Sequence, residues 1–203
     1  MRRSIDRRMQ GFRRALLLVA VALLLQPGCA RAQEDGHEAL RTGRYDEAIH
    51  ALQRAAQADN SDAIVALVRA LLEVGRYDDA ESAVRGWTGI VSPALGTAYG
   101  EALLAQGKVA DAERAFLLVV NGRSPLESAQ GTPTLPAQIP AGAERALLNA
   151  GVIAWRRGDH DRAFDVFDRF IDLYNTGAAR SSEALAAVGA AVSYLGRRDA
   201  QLF

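Results

Sequence analysis

Cysteine is almost missing: one residue, Cys29, stands in 203, so no intramolecular disulfide can form. Histidine is nearly as scarce. His37, His50 and His160 lie far apart without the spacing of a metal site, so no metal is expected. Aromatics make up 6% of the chain while alanine and leucine dominate, which favours helix over strand. Lysine occurs once, as Lys108. The formal charge is zero, yet residues 1–32 hold seven arginines and one acid, Asp6; the remainder keeps 17 basic and 23 acidic groups, near −6. An acidic body without basic patches argues against nucleic acid as a partner.

Catalytic signatures are lacking too. There is no HExxH pair, no glycine-rich phosphate loop and no nucleophile elbow. Asp159, Asp161, Asp165 and Asp168 cluster, but their spacing puts them on a helix start and its outer face, where acids complement the helix dipole. No enzymatic activity and no cofactor are expected. What is present is ordinary globular material, 49% hydrophobic and 24% charged.

Residues 1–32 read as a signal peptide. Arg2, Arg3, Arg7, Arg8, Arg13 and Arg14 precede an apolar run, Ala15 to Leu25, which is too short to span a bilayer. Two processing routes remain open. Ala30-Arg31-Ala32 has the small-x-small pattern of a conventional cleavage site. Gly28-Cys29 after the leucine run resembles a bacterial lipoprotein signal, in which Cys29 would be lipidated; Gln26 departs from that pattern. Either route exports the chain to the periplasm or cell envelope, and a lipid anchor at Cys29 is the one expected membrane contact.

The remainder repeats itself. Gly43-Arg44-Tyr45-Asp46-Glu47-Ala48 returns closely as Gly75 to Ala80, and loosely as Gly107 to Ala112 and Gly158 to Ala163. After each glycine the apolar positions share one set of offsets: Tyr45, Ala48, Leu52, Ala55 in the first copy; Tyr77, Ala80, Val84, Trp87 in the second. Val109, Ala112, Phe116, Val119 and then His160, Ala163, Phe167, Phe170 follow, with the histidine as the polar exception. Steps of 3, 4 and 3 form one stripe of an α-helix. A second helix precedes each glycine, and a glycine recurs seven positions before the turn at Gly36, Gly100, Gly151 and Gly189, with Val68 the exception. Glycine inside a helix costs about 1 kcal/mol, so close approach of the paired helix is expected there, with Ala48, Ala80, Ala112 and Ala163 as the facing small residues. Each copy is therefore an antiparallel hairpin that must stack on its neighbours.

On these residues the chain resembles a tetratricopeptide repeat (TPR) protein. The turn spacings of 32 and 32 residues sit slightly under the usual 34. The proline that often closes such a repeat is replaced by Asn60, Ser92 and Asn175. The resemblance implies an all-α, right-handed αα-solenoid of about four to five hairpins: repeats over 33–121, a proline-rich loop insertion over 122–142, and repeats over 143–203 with the last incomplete. The third glycine interval is 51 residues, and the excess holds Pro125, Pro133, Pro136 and Pro140. That insertion is expected to be a surface loop whose deletion leaves helicity and melting nearly unchanged; Thr132 to Pro136 as an extended docking segment is the alternative.

Such solenoids bind on the concave face, lined by the first helix of each pair. The partner-binding candidates there are Arg69, Glu73, Glu101, Arg145, Asn149, Trp155, Arg156 and Tyr194. Trp155 leads, since tryptophan is enriched at binding hot spots. With Lys108 on a turn and Ala66 where the family's carboxylate clamp has asparagine, that clamp is not expected. Trp87 is expected on a second helix in a structural role. Ala163 to Tyr174 is similar to repeats of envelope-assembly and cell-division coordinating proteins. The expected function is a non-catalytic protein-interaction scaffold of the bacterial envelope. The alternative is a regulatory or substrate-holding module of a larger exported enzyme such as a peptidase, since no capping helix closes the array.

Overall fold

Glycine decides where the helices stop. In a computed structural model of the protein, which describes residues 30–57, 60–127, 133–136, 138–177, 188–189, 191–194 and 196, Gly43, Gly75, Gly107 and Gly158 all have φ between 75° and 78°. Only a residue without a Cβ holds that left-handed conformation without strain. Each is the C′ residue of a Schellman motif. Arg44 N–H reaches the Ala39 carbonyl at 2.8 Å and Gly43 N–H the Leu40 carbonyl at 3.2 Å, and the same pair of bonds recurs at Gly75, Gly107 and Gly158. Gly122 ends a further helix in the same way, with φ 69° and Arg123 N–H on the Leu118 carbonyl at 2.9 Å.

Between these stops run α1 (30–41, as described), α2 (Tyr45–Ala56), α3 (Ser61–Glu73), α4 (Tyr77–Arg85), α5 (Pro93–Ala105), α6 (Val109–Val120), α7 (Glu144–Arg156) and α8 (His160–Asn175). Residues 188–189 and 191–194 are again helical, and no strand occurs among the described residues. Two of the three residues that replace the closing proline cap the next helix. Asn60 caps α3 by accepting from Asp62 N–H and Ala63 N–H at 3.1 Å each, and Ser92 caps α5 from its hydroxyl, with Pro93 in the first turn.

From α2 to α8 each helix packs on the next in sequence, and α3, α5 and α7 also pack on one another in order. Among the described residues the second helices α2, α4, α6 and α8 make no such contact with each other. The layer drawn together forms the inside of a curve and the splayed layer its outside, so α3, α5 and α7 line the concave face. The shared core between the layers is built from small and branched side chains, with Phe116, Phe167 and Phe170 as its largest fully buried members. This is an αα-solenoid, as the repeat spacing requires.

The close approach at the helical glycines is present, but the facing residue differs from the expected alanine. A Cβ on Gly151 would stand 2.7 Å from a Phe167 ring carbon, and one on Gly36 would stand 2.7 Å from Leu52 Cγ. On Gly100 it would fall on the Phe116 ring. The bulky residue four positions after each alanine fills the space, because helical side chains lean toward the N-terminus of their own helix. In the second hairpin the same two positions are Val68 and Val84, both fully buried. At Gly189 no atom lies within 4 Å among those described.

Two further expectations change. Trp87 is not on a helix, because α4 stops at Arg85 and Gly86 caps it; the indole N–H donates instead to the Ile90 carbonyl at 3.3 Å. The insertion is docked rather than free. Asn121 Nδ2 donates to the Leu117 and Thr134 carbonyls at 2.8 and 2.9 Å, and Leu126, Leu135 and Ile139 are partly buried against the core. The last turn of α6 explains why: Phe116 through Val120 are all buried, and a helix apolar all round needs cover on every side.

Residues 1–29 of the expected signal segment, Cys29 among them, lie outside the described residues, as does the end of the last repeat. Residues 30–32 are helical, and Ala32 packs against the core. Among the described residues no helix is long and apolar enough to cross a membrane.

Candidate functional site: the concave face

The eight expected binding residues fall into two groups and two singles. Glu101 on α5 is the centre of the first group. Its Oε1 accepts from Arg145 Nε at 2.5 Å and from Asn149 Nδ2 at 3.2 Å, both on α7. Arg69 on α3 lines the same shallow crevice with Thr97, Ala98, Glu101 and Arg145, so three successive first helices share one polar site. The Glu101 carboxylate is 18% exposed and Arg145 49% exposed, which makes the pair reachable from solvent.

Trp155 and Tyr194 form the second group. Trp155 stacks on His160 at 4.6 Å between ring centroids, meets Phe164 edge-on at 5.6 Å and touches Tyr194 at 5.4 Å. Tyr194 in turn stacks on Phe167 at 5.0 Å. These rings tie α7 and α8 to the helical residues that follow, so Trp155 spends much of its surface on the joint between hairpins. Glu73 and Arg156 are exposed and join neither group.

Two carboxylates with two basic partners each lie elsewhere. Glu81 on α4 accepts from Arg85 Nε at 2.8 Å and from Lys108 Nζ at 2.7 Å, the latter on the turn of the next hairpin. Lys108 first, and Arg85 next, lower its pKa to about 2. Glu113 occupies the same repeat position on α6, six residues after the turn glycine. It receives Arg157 at 2.7 Å and Arg162 at 3.2 Å from the fourth hairpin. Each carboxylate thus staples its hairpin to the next. Arg85 also lies over the Tyr99 ring at 5.6 Å, and burial pushes the Tyr99 hydroxyl up. The groove beside them, about 280 Å³, is lined from α4, α5 and α6 and by Pro125 and Leu126. Sequence reasoning missed these staples; the signal available was glutamate recurring at one offset, Glu81 and Glu113.

Among the described residues no cluster of three histidine, cysteine or acidic side chains could hold a metal ion. The concave face offers paired charges and half-open apolar side chains, which suit non-covalent recognition.

Comparison with known proteins agrees with this architecture. Two family models described as tetratricopeptide repeat match, one over residues 39–89 and one over 140–178. No curated protein matches significantly. Among solved structures the chain is similar to the crystal structure of a MamA protein, at 18% identity over 86% of each chain and a TM-score of 0.53. A second MamA crystal structure aligns at 16% identity over 81% of this chain and 96% of that one, with a TM-score of 0.49. At such identities the likeness speaks for the fold alone; the family models show tetratricopeptide repeats over residues 39–89 and 140–178, and the four glycine-stopped hairpins are built as such repeats.

Proposed function

We propose that the chain is a non-catalytic scaffold of the bacterial cell envelope, which holds a protein or peptide partner on its concave face. The repeats themselves are interaction modules. The observation that carries the concave reading is the polar site shared by Arg69, Glu101 and Arg145, because a partner meets α3, α5 and α7 together only by lying along the array. The two carboxylates that each take two basic partners, Glu81 and Glu113, are engaged between hairpins and have a structural role. The envelope reading rests on the arginine-rich start, the short apolar run and the two processing patterns before residue 33.

The test places a photo-crosslinking amino acid at Asn149 on the concave face, or at exposed Arg114 on α6, in the protein expressed in cells. A discrete adduct from position 149 and none from 114 is expected. Equal adducts from both, or none from 149, would refute concave binding. The mass of the mature protein tests export separately, since an intact Met1 is incompatible with it.

A further inference from the structure

The two ends of the array differ in charge. At one end stand the turn glycines, each followed directly by a charged residue: Arg44, Arg76, Lys108 and Asp159. At the other stand the links from α4 to α5 and from α6 to α7, with the starts of α1, α3, α5 and α7. Residues 86–100 and 128–143 contain no aspartate, glutamate, lysine, arginine or histidine, in a chain that is 24% charged. Arg123 and Glu127 beside them pair with each other at 2.9 Å. The two uncharged stretches meet, since a Cβ on Gly142 would stand 3.8 Å from Pro93 Cβ.

Ile90 sits on this end and is 89% exposed, the most open large apolar side chain among the described residues; Val192 follows at 53%. A single apolar side chain at a surface is ordinary. This one has company. The Trp87 indole N–H donates to the Ile90 carbonyl, and Trp87 and Val91 are only partly buried. Because the indole donor finds its acceptor within the loop, the ring can leave water without an unsatisfied N–H. Tryptophan in such a setting suits a membrane–water interface.

The chain's own tether starts at the same end. Gln33, near the start of α1, accepts from Asn60 Nδ2 at 2.6 Å, which holds the starts of α1 and α3 together. α3 packs on α5, so the 86–92 loop lies two helix spacings away, roughly 20 Å. Cys29, the expected lipid site, directly precedes α1. Residues 30–32 are helical and Ala32 packs on the core, so cleavage after Ala32 would cut α1, whereas processing at Cys29 keeps it whole. A tether there makes contact by one small loop an effectively intramolecular event.

We infer that the 86–92 loop is a second membrane contact, in which Trp87 and Ile90 enter the headgroup region of a lipid bilayer. The array stands on the bilayer by this end, and the concave face and the charged turns stay open to a partner. The inference rests on the envelope reading above, by its Cys29-anchored route. The contact is apolar, because Glu34, Asp35 and Asp62 on the same end do not favour anionic lipid.

The test mixes the full chain with vesicles of phosphatidylcholine brominated near the headgroup, which quench tryptophan on contact. The chain has two tryptophans: Trp87 on this end, and Trp155 on the other beside the turn at Gly158. Trp155→Phe reports on Trp87 alone, and Trp87→Phe on Trp155. Trp87 should be quenched at least about threefold more than Trp155, at low and high salt alike. Ile90→Asp, a change at a solvated position, should remove most of that difference without altering thermal unfolding or flotation with the vesicles. If Trp155→Phe fails to fold, Ile90→Asp in the otherwise unchanged chain must still lower the total quenching. Equal quenching of the two tryptophans, indifference to Ile90→Asp, or no flotation at all overturns the inference. Flotation without quenching overturns the loop contact and leaves the tether. Quenching of Trp87 together with an intact Met1 in cells upholds the contact and overturns export.

Discussion

Gly100 gives the sharpest test of how the hairpins close. In an ordinary helix interior, glycine to alanine stabilises by about 1 kcal/mol. Here the new Cβ would fall on the Phe116 ring, with two of its carbons at 2.7 and 2.9 Å, and that ring is fully buried. Overpacking of this kind costs about 1–3 kcal/mol, so Gly100→Ala should destabilise by up to about 2 kcal/mol and Gly100→Val by about 3. Phe116→Val alone opens a cavity and should cost about 2–4 kcal/mol. The second hairpin holds valine at both equivalent positions, Val68 and Val84, fully buried. Combining Gly100→Val with Phe116→Val transplants that pair, and the double variant should lose about 2 kcal/mol less than the two single losses together. Urea unfolding followed by helical circular dichroism measures the parent protein and the four variants. A double loss equal to the sum within about 0.5 kcal/mol would mean the two positions do not share one space, and a stabilised Gly100→Ala would mean the approach is not close.

Other outcomes follow from the same structure. Ala48 and Ala80 are both fully buried, so leucine at either should cost a similar 1–3 kcal/mol or so; an untouched Ala48→Leu melt would mean the first hairpin is loosely packed. Deleting residues 124–140 should lower melting by roughly 6–12 °C, because Leu126, Leu135 and Ile139 contribute about 1 kcal/mol each. An unchanged melt would return the insertion to a free loop. Glu81, with its pKa lowered to about 2 against an ordinary 4.5, stabilises fully above about pH 4.5, and that stability is lost as pH falls toward 2. Arg85 and Lys108 are 59% and 45% exposed, so screening limits it to about 1–2 kcal/mol. The stability gap between the protein and Glu81→Gln should therefore close between pH 5 and pH 2 or so in urea titrations, and a constant gap would refute the assignment.

How much of this was readable in advance depends on the range over which each feature is decided. Gly43, Gly75, Gly107 and Gly158 act within five residues of themselves, through a left-handed φ and two backbone bonds, so their turns were legible from spacing alone. The apolar stripes were legible because a helix period is local. The α4 boundary was misread at Trp87, since Gly86 ended the helix before the stripe ran out. Of the concave candidates, Glu101, Arg145 and Asn149 meet one another, but their mutual bonds span 44 and 48 residues and needed the register of one hairpin on the next.

Sequence by itself determined the turns of the hairpins and the faces that must be buried, because each of these follows from chain stereochemistry within one or two helical turns. Tertiary structure decided what meets what. It set Phe116 rather than Ala112 against Gly100, joined Glu81 to Lys108 and Glu113 to Arg157, and folded the insertion over α6. Those pairings depend on the curvature and stacking of the array, which no local period encodes.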